Sequence, residues 1–205
     1  MIRTILAICV IFALSPSGFG CTTFGVTKST SSDGSVFVGR TNDGFGPGDV
    51  AGTIKEDMVT MSYVPAQNHT PGSKRPIPYD PNSGGEFRGN ASSSFGNETI
   101  LGYIDQVNHT YDYLTGSYGI INEHQLISGK CTDYAKVHPD AEVGKRVFYI
   151  TELSNIAMEW CKTSREAVEL IGTLIDKYGY YGTEETLIFR DPKEIWVIEM
   201  GGGTP

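Results

Sequence analysis

Cys21 and the run Arg40-Thr41-Asn42-Asp43 are the residues of this chain whose types and spacing suit covalent chemistry. A thiol attacks only as its thiolate, and with a reference pKa of ~8.5 it is mostly protonated at neutral pH. If the mature chain begins at Cys21, its own α-amine, which titrates near ~8, can take the thiol proton during attack. One residue then carries nucleophile and base, and no separate histidine is needed. Such a site also needs a cation that favours the thiolate and a carboxylate that orients the amine. Arg40 and Asp43 are the candidates for those two tasks. From spacing alone they read more readily as an ordinary exposed ion pair, which is worth little.

The residues ahead of Cys21 are consistent with its becoming an N-terminus. Arg3 forms a short positive region, Ile5 to Leu14 is apolar, and Ser15-Pro16-Ser17-Gly18-Phe19-Gly20 is a small-residue, helix-breaking exit. This is the pattern of a signal peptide over 1–20, cut between Gly20 and Cys21. A membrane anchor would need ~20 apolar residues, so stable membrane insertion is not expected. A lipoprotein signal, the other alternative, prefers an aliphatic and a small residue where Gly18 and Phe19 stand. Export also agrees with four N-x-[ST] sequons at Asn68, Asn90, Asn97 and Asn108, each a glycan acceptor in a eukaryotic host. Beyond Cys9 in the leader, the cysteines are Cys21, Cys131 and Cys161. An odd number in an oxidising compartment suggests one pair and one free thiol. Pairing Cys131 with Cys161 would leave Cys21 available; the alternative is that all three are reduced and buried.

The 205 residues carry a formal charge of −8, one unit more negative once Arg3 is removed, so nucleic acid is not an expected partner. Residues 21–205 suit one domain with a sizeable core. His69, His109, His124 and His138 are too scattered to suggest a metal site, and no cofactor motif appears. Trp160 and Trp196 read as core residues.

The elements that must position Cys21 begin with strands over Phe24 to Lys28 and Ser35 to Thr41, joined through Asp33-Gly34, a hairpin signal. That hairpin returns Arg40 beside the N-terminal strand. A third strand is expected over Met58 to Val64. Residues 65–117 are rich in Pro, Gly, Ser and Asn, hold every sequon, and predict an exposed, glycosylated insertion with some local structure. Tyr118 to Ile121 and His124 to Ser128 flank an Asn122-Glu123 turn. Leu153, Ile156, Ala157 and Trp160 fall at helical spacing, and Thr163-Ser164-Arg165-Glu166 is a capping box that opens a second helix through Ile175. Thr186 to Phe189 and Ile195 to Met200, turned by Asp191-Pro192, predict a closing hairpin. Strands, two helices and strands again indicate an α+β fold with helices gathered on one face. The glycine run Gly201-Gly202-Gly203 follows without a sealing element, so the chain reads as incomplete at its C-terminus.

Cys21-Thr22-Thr23, Asp33-Gly34-Ser35 and Gly39-Arg40-Thr41-Asn42-Asp43 together resemble the opening of the N-terminal nucleophile (Ntn) hydrolases of peptidase family C69, the dipeptidases related to secernins. Asn122-Glu123-His124-Gln125 and Ile195-Trp196-Val197-Ile198-Glu199-Met200 resemble the same family in the same order. The resemblance implies a four-layer αββα sandwich, present here as its N-terminal portion. It implies that Cys21 attacks an amide to form a thioester, that Arg40 tunes the thiol, and that Asp43 holds the amine. Related enzymes place an oxyanion-stabilising asparagine in the strand after the Asn-Glu turn, but residues 124–132 contain none. A backbone N–H near Ser128 to Thr132 is the substitute donor, and Asn122 itself reads as a turn former.

The function expected is a cysteine-dependent dipeptidase acting on small peptides in the secretory pathway, extracellular or lysosomal and vacuolar, with self-association left open. Two alternatives stand beside it. One is an Ntn acylase acting on N-acyl amides, of the bile-salt hydrolase or penicillin acylase kind. The other is a secreted glycoprotein that keeps the scaffold for binding without catalysis.

Overall fold

The computed structural model describes residues 21–41, 61–80, 99–116, 118–133 and 137–202. The expected signal peptide over 1–20, Asp43, Asn90, Asn97 and the first part of the Met58 to Val64 strand lie outside them. Among the described residues the strands are β1 (Thr23–Val26), β2 (Phe37–Arg40), β3 (Ser62–Val64), β4 (Gln67–Asn68), β5 (Lys74–Pro78), β6 (Ile100–Asp105), β7 (His109–Thr110), β8 (Tyr113–Thr115), β9 (Gly119–Asn122), β10 (Ile127–Asp133), β11 (Glu184–Arg190) and β12 (Ile195–Met200). Two helices, α1 (Ile150–Trp160) and α2 (Ser164–Tyr178), stand between β10 and β11. The class is α+β.

Six strands form one antiparallel sheet in the order β12-β11-β10-β9-β8-β3. Alternation along β11 decides what each face does. Leu187 and Phe189 point into the helix side and are fully buried there with Leu153, Ile156, Ala157 and Ile171. Ile188 points the other way, toward the two-stranded sheet β1-β2. A Cβ built on Gly129 of β10 would come within 3.0 Å of Ile188, 3.5 Å of Val38 and 3.8 Å of Thr23. Glycine there lets the small sheet lie close on the large one. The helices therefore cover one face of the main sheet, and the hairpin that carries Cys21 covers the other.

The helices form where the periodicity places them. Thr163 and Glu166 make the expected reciprocal cap: the Thr163 side chain accepts from the Glu166 N–H, and Glu166 accepts from the Thr163 N–H at 3.2 Å. α2 runs past Ile175 to Tyr178 and stops at Gly179, whose φ of 73° suits glycine.

Two expectations change. The strand expected at His124 starts only at Ile127, because the Asn122 carboxamide oxygen accepts the N–H groups of both His124 and Leu126 at 3.1 Å. Gln125, at φ 62°, lengthens that turn to Leu126. The described part of residues 65–117 is not simply an exposed insertion. Ile77 and Leu101 of the β5-β6 hairpin are fully buried, and Tyr113 enters the main sheet on β8. Arg75 fastens that hairpin to α1, with Nη2 2.7 Å from Glu152 and Nη1 on Glu159, which also accepts from the Tyr113 hydroxyl. Apolar burial and a shielded ion cluster thus tie the described β5-β6 pair to the core.

Candidate active site

The β1-β2 ladder sets Thr23 opposite Arg40, so the residues just outside it, Thr22 and Thr41, close its end. The Thr22 N–H donates to Thr41 Oγ1 at 3.0 Å, and the Thr41 N–H donates back to the Thr22 carbonyl at 2.8 Å. One residue further out stands Cys21, half-buried. Arg40 Nη2 lies 3.9 Å from Cys21 Sγ, too long for a strong hydrogen bond but well placed to attract charge developing on the sulfur. The hairpin thus brings together two of the three residues singled out from the sequence, across nineteen positions of chain. The third, Asp43, lies outside the described residues.

Two further residues meet this pair that spacing did not reveal. The Cys131 thiol, on β10, donates to the Cys21 carbonyl across 2.6 Å. It also ties the end of the β1-β2 hairpin at Cys21 to the main sheet. The Tyr118 ring, just before β9, lies under the Arg40 guanidinium with 5.0 Å from Cζ to the ring centroid. Neither contact has a local signal, because both depend on how the two sheets stack.

The cysteine pairing expected from the sequence does not form. Cys131 and Cys161 are both free thiols. Cys131 faces the β1-β2 layer, whereas Cys161 caps the end of α1, buried on the helix side. The two sulfurs belong to opposite faces of the sheet. Burial pushes the Cys131 thiol up to about 11, helped by the charges of Asp133 and Glu185 and opposed by Arg40. Burial pushes Cys161 up to about 12. Both stay protonated at neutral pH, so neither is an activated nucleophile.

Asn122 is a structural turn residue. Its Nδ2 donates to the carbonyls of Met158 and Cys161, each at 2.8 Å, at the end of α1. With its oxygen taken by His124 and Leu126, the side chain is fully used. The backbone from Ser128 to Thr132, the stretch expected to supply oxyanion donors, flanks Cys131 and so runs beside Cys21.

Of the sequons, Asn68 in β4 and Asn108, just before β7, are exposed. Asn68 pairs with His109 in the β4-β7 ladder, and the Asn108 carbonyl accepts the His69 N–H at 2.9 Å. Among the described residues no cluster of three or more His, Cys, Asp or Glu side chains is arranged to hold a metal ion, and no helix is long and apolar enough to cross a membrane.

Comparison with known families adds evidence from a different part of the chain. Residues 131–205, from the end of β10 through both helices and the closing hairpin, match the family model described as Peptidase family C69. The resemblance at Cys21 to Asp43 lies wholly outside that match, so the two point to the same family from separate segments. This match supports the assignment of the chain to Peptidase family C69, which suggests peptidase activity.

Proposed function

We propose that this protein is a cysteine-dependent Ntn hydrolase that cleaves the amide bond of dipeptides, with Cys21 as nucleophile after removal of residues 1–20. The observation that carries this reading is the Arg40 guanidinium 3.9 Å from Cys21 Sγ, at the open end of a hairpin whose other strand begins the mature chain. In this reading the fold is the αββ part of a four-layer αββα sandwich, with the β1-β2 layer as the start of its second sheet.

The thiol proton passes to the α-amine of Cys21 as sulfur bonds to the substrate carbonyl carbon. Arg40 attracts the charge on sulfur, and Asp43 orients the amine. Negative charge then collects on the carbonyl oxygen, where a backbone N–H of the Ser128 to Thr132 stretch donates; one such donor is worth ~3 kcal/mol to the transition state. The C–N bond breaks as the α-ammonium returns its proton to the leaving amine, which gives a thioester. Water attacks that thioester, the amine takes its proton, and the acid product leaves with the thiol restored. The substrate is a small peptide, and the route is secretory, ending outside the cell or in a lysosome or vacuole. Glycans on Asn68 and Asn108 fit that route.

The test is direct. The secreted chain should yield an N-terminal peptide starting at Cys21 with a free amine, and Cys21→Ser should abolish dipeptide hydrolysis. Hydrolysis that survives in Cys21→Ser would overturn the assignment of the nucleophile. A preference for N-acylated substrates without a free amino terminus would replace the dipeptidase reading with the acylase one.

A further inference from the structure

We propose that Tyr118 is a positioning residue for Cys21, acting through Arg40; this rests on the reading of Cys21 as nucleophile and Arg40 as its charge partner. An arginine side chain is long and rich in rotamers, and a guanidinium helps a sulfur only while it is held near it. Arg40 is the last residue of β2, at the open end of a two-stranded sheet, and is only partly buried. Its hydrogen bond to the Thr41 carbonyl is weak, at 3.4 Å from Nε.

The guanidinium meets a firmer support in the Tyr118 ring. The Tyr118 ring centroid is 5.0 Å from Arg40 Cζ, within the range where the negative face of an aromatic ring attracts a cation. Tyr118 belongs to the main sheet: Gly119 follows it in β9, and its carbonyl accepts the Gly116 N–H at 2.9 Å across the β8-β9 connection. The ring therefore comes from the six-stranded layer, and Arg40 comes from the layer stacked upon it. Tyr118 holds the guanidinium from one side while Cys21 Sγ lies 3.9 Å from Nη2. What matters in this arrangement is the ring and not the hydroxyl, because the contact is made to the π face.

The experiment measures the rate of Cys21 alkylation by iodoacetamide across pH 5 to 9 in the full chain, followed by the mass of the Cys21 peptide. It needs no substrate. Arg40→Gln should slow alkylation at neutral pH. Tyr118→Leu should slow it about three- to fivefold at neutral pH, the loss expected when a partly exposed cation–π platform is removed. Tyr118→Phe keeps the ring and should behave like the native chain. In the Arg40→Gln background Tyr118→Leu should add nothing, since it acts only through the arginine. If Tyr118→Leu does not fold, Tyr118→Met supplies a second ring-free variant of similar bulk. Native alkylation in both ring-free variants, alongside slowed alkylation in Arg40→Gln, would overturn the role of Tyr118 alone. Equal slowing by Tyr118→Leu with and without Arg40 would make it merely structural and overturn it as well. No change in Arg40→Gln itself would remove the underlying reading of Arg40, and the proposal with it.

Discussion

Asn122 is where a catalytic and a structural assignment give opposite predictions. Its side chain is 4% exposed and makes four hydrogen bonds, two given by Nδ2 to the Met158 and Cys161 carbonyls and two accepted by Oδ1 from the His124 and Leu126 N–H groups. Met158 lies in the last turn of α1, where carbonyls lack intrahelical partners. Asn122→Ala removes all four bonds and strands their buried partners. At about 1 kcal/mol net for each bond, and more where a buried group stays unsatisfied, the loss comes to about 3–5 kcal/mol. A domain of this size has about 5–15 kcal/mol to lose, so the variant should fold but unfold at markedly lower urea. The assay is equilibrium urea unfolding followed by the fluorescence of Trp160 and Trp196. With a slope of about 1–3 kcal/mol/M, the midpoint should fall by about 2 M with little change in slope. Turnover per folded molecule should stay near the native value. A stability loss below about 1 kcal/mol together with a hundredfold fall in turnover would refute the reasoning and make Asn122 an oxyanion donor.

Three further outcomes follow from the same geometry. Cys131 and Cys161, raised to about 11 and about 12 chiefly by burial, hold about one thiolate per thousand and per ten thousand molecules at pH 8, so native iodoacetamide should label them slowly. Denaturation without reduction should then label both, and a Cys131–Cys161 peptide in that digest would contradict the structure. Gly179→Ala should cost at least about 2 kcal/mol, measured as a drop in thermal midpoint, because a Cβ there would stand 2.2 Å from the Lys145 carbonyl at a φ of 73°. Burial pushes the Asp191 carboxyl up, but hydrogen bonds from Ser164, Lys193 and Glu194 outweigh it and hold the group below its ordinary 3.8. A depressed carboxyl stabilises the fold above its unfolded value and loses that contribution as pH falls through the folded one. The stability gap between the native chain and Asp191→Asn should therefore be widest near neutral pH and shrink below about pH 4, and a pH-independent gap would reject this account.

Features with a local cause were legible in the sequence. The Thr163–Glu166 box, the spacing of Leu153, Ile156 and Ala157, and the Asp191-Pro192 turn each encode their geometry within a few residues. So does the hairpin that returns Arg40 to Cys21, since Asp33 caps its own turn and Gly34 takes a φ of 76°. What stayed hidden depends on which face of a sheet meets which layer. Counting cysteines suggested a Cys131–Cys161 pair, but alternation along β10 turns Cys131 away from the helices that hold Cys161. Composition made residues 65–117 look like a surface insertion, because Ile77, Leu101 and Ile104 are sparse among Pro, Gly and Asn even though they pack fully. Tyr118 carried no signal of its own, since at the start of the expected Tyr118 to Ile121 strand nothing local ties its ring to Arg40.

The site's dependence on layer stacking has a physical consequence. A two-stranded hairpin is at best marginally stable alone, so β1-β2 cannot hold Cys21 and Arg40 at 3.9 Å by its own ladder. Its position comes from the surface beneath. Gly129 removes the side chain that would lift the hairpin off β10, Ile188 and Val38 fill the seam, and the Cys131 thiol ties down the Cys21 carbonyl. The Tyr118 ring does the same for the guanidinium. The main sheet is in turn kept in shape by the helix side, through Asn122 at the β9-β10 turn and the buried apolar cluster under β11. The placement of the half-buried Cys21 thiol is thus supplied by neighbouring side chains and the sheet beneath it. That explains why the segment bearing Cys21 and the segment matching the family model, far apart in sequence, pack as stacked layers.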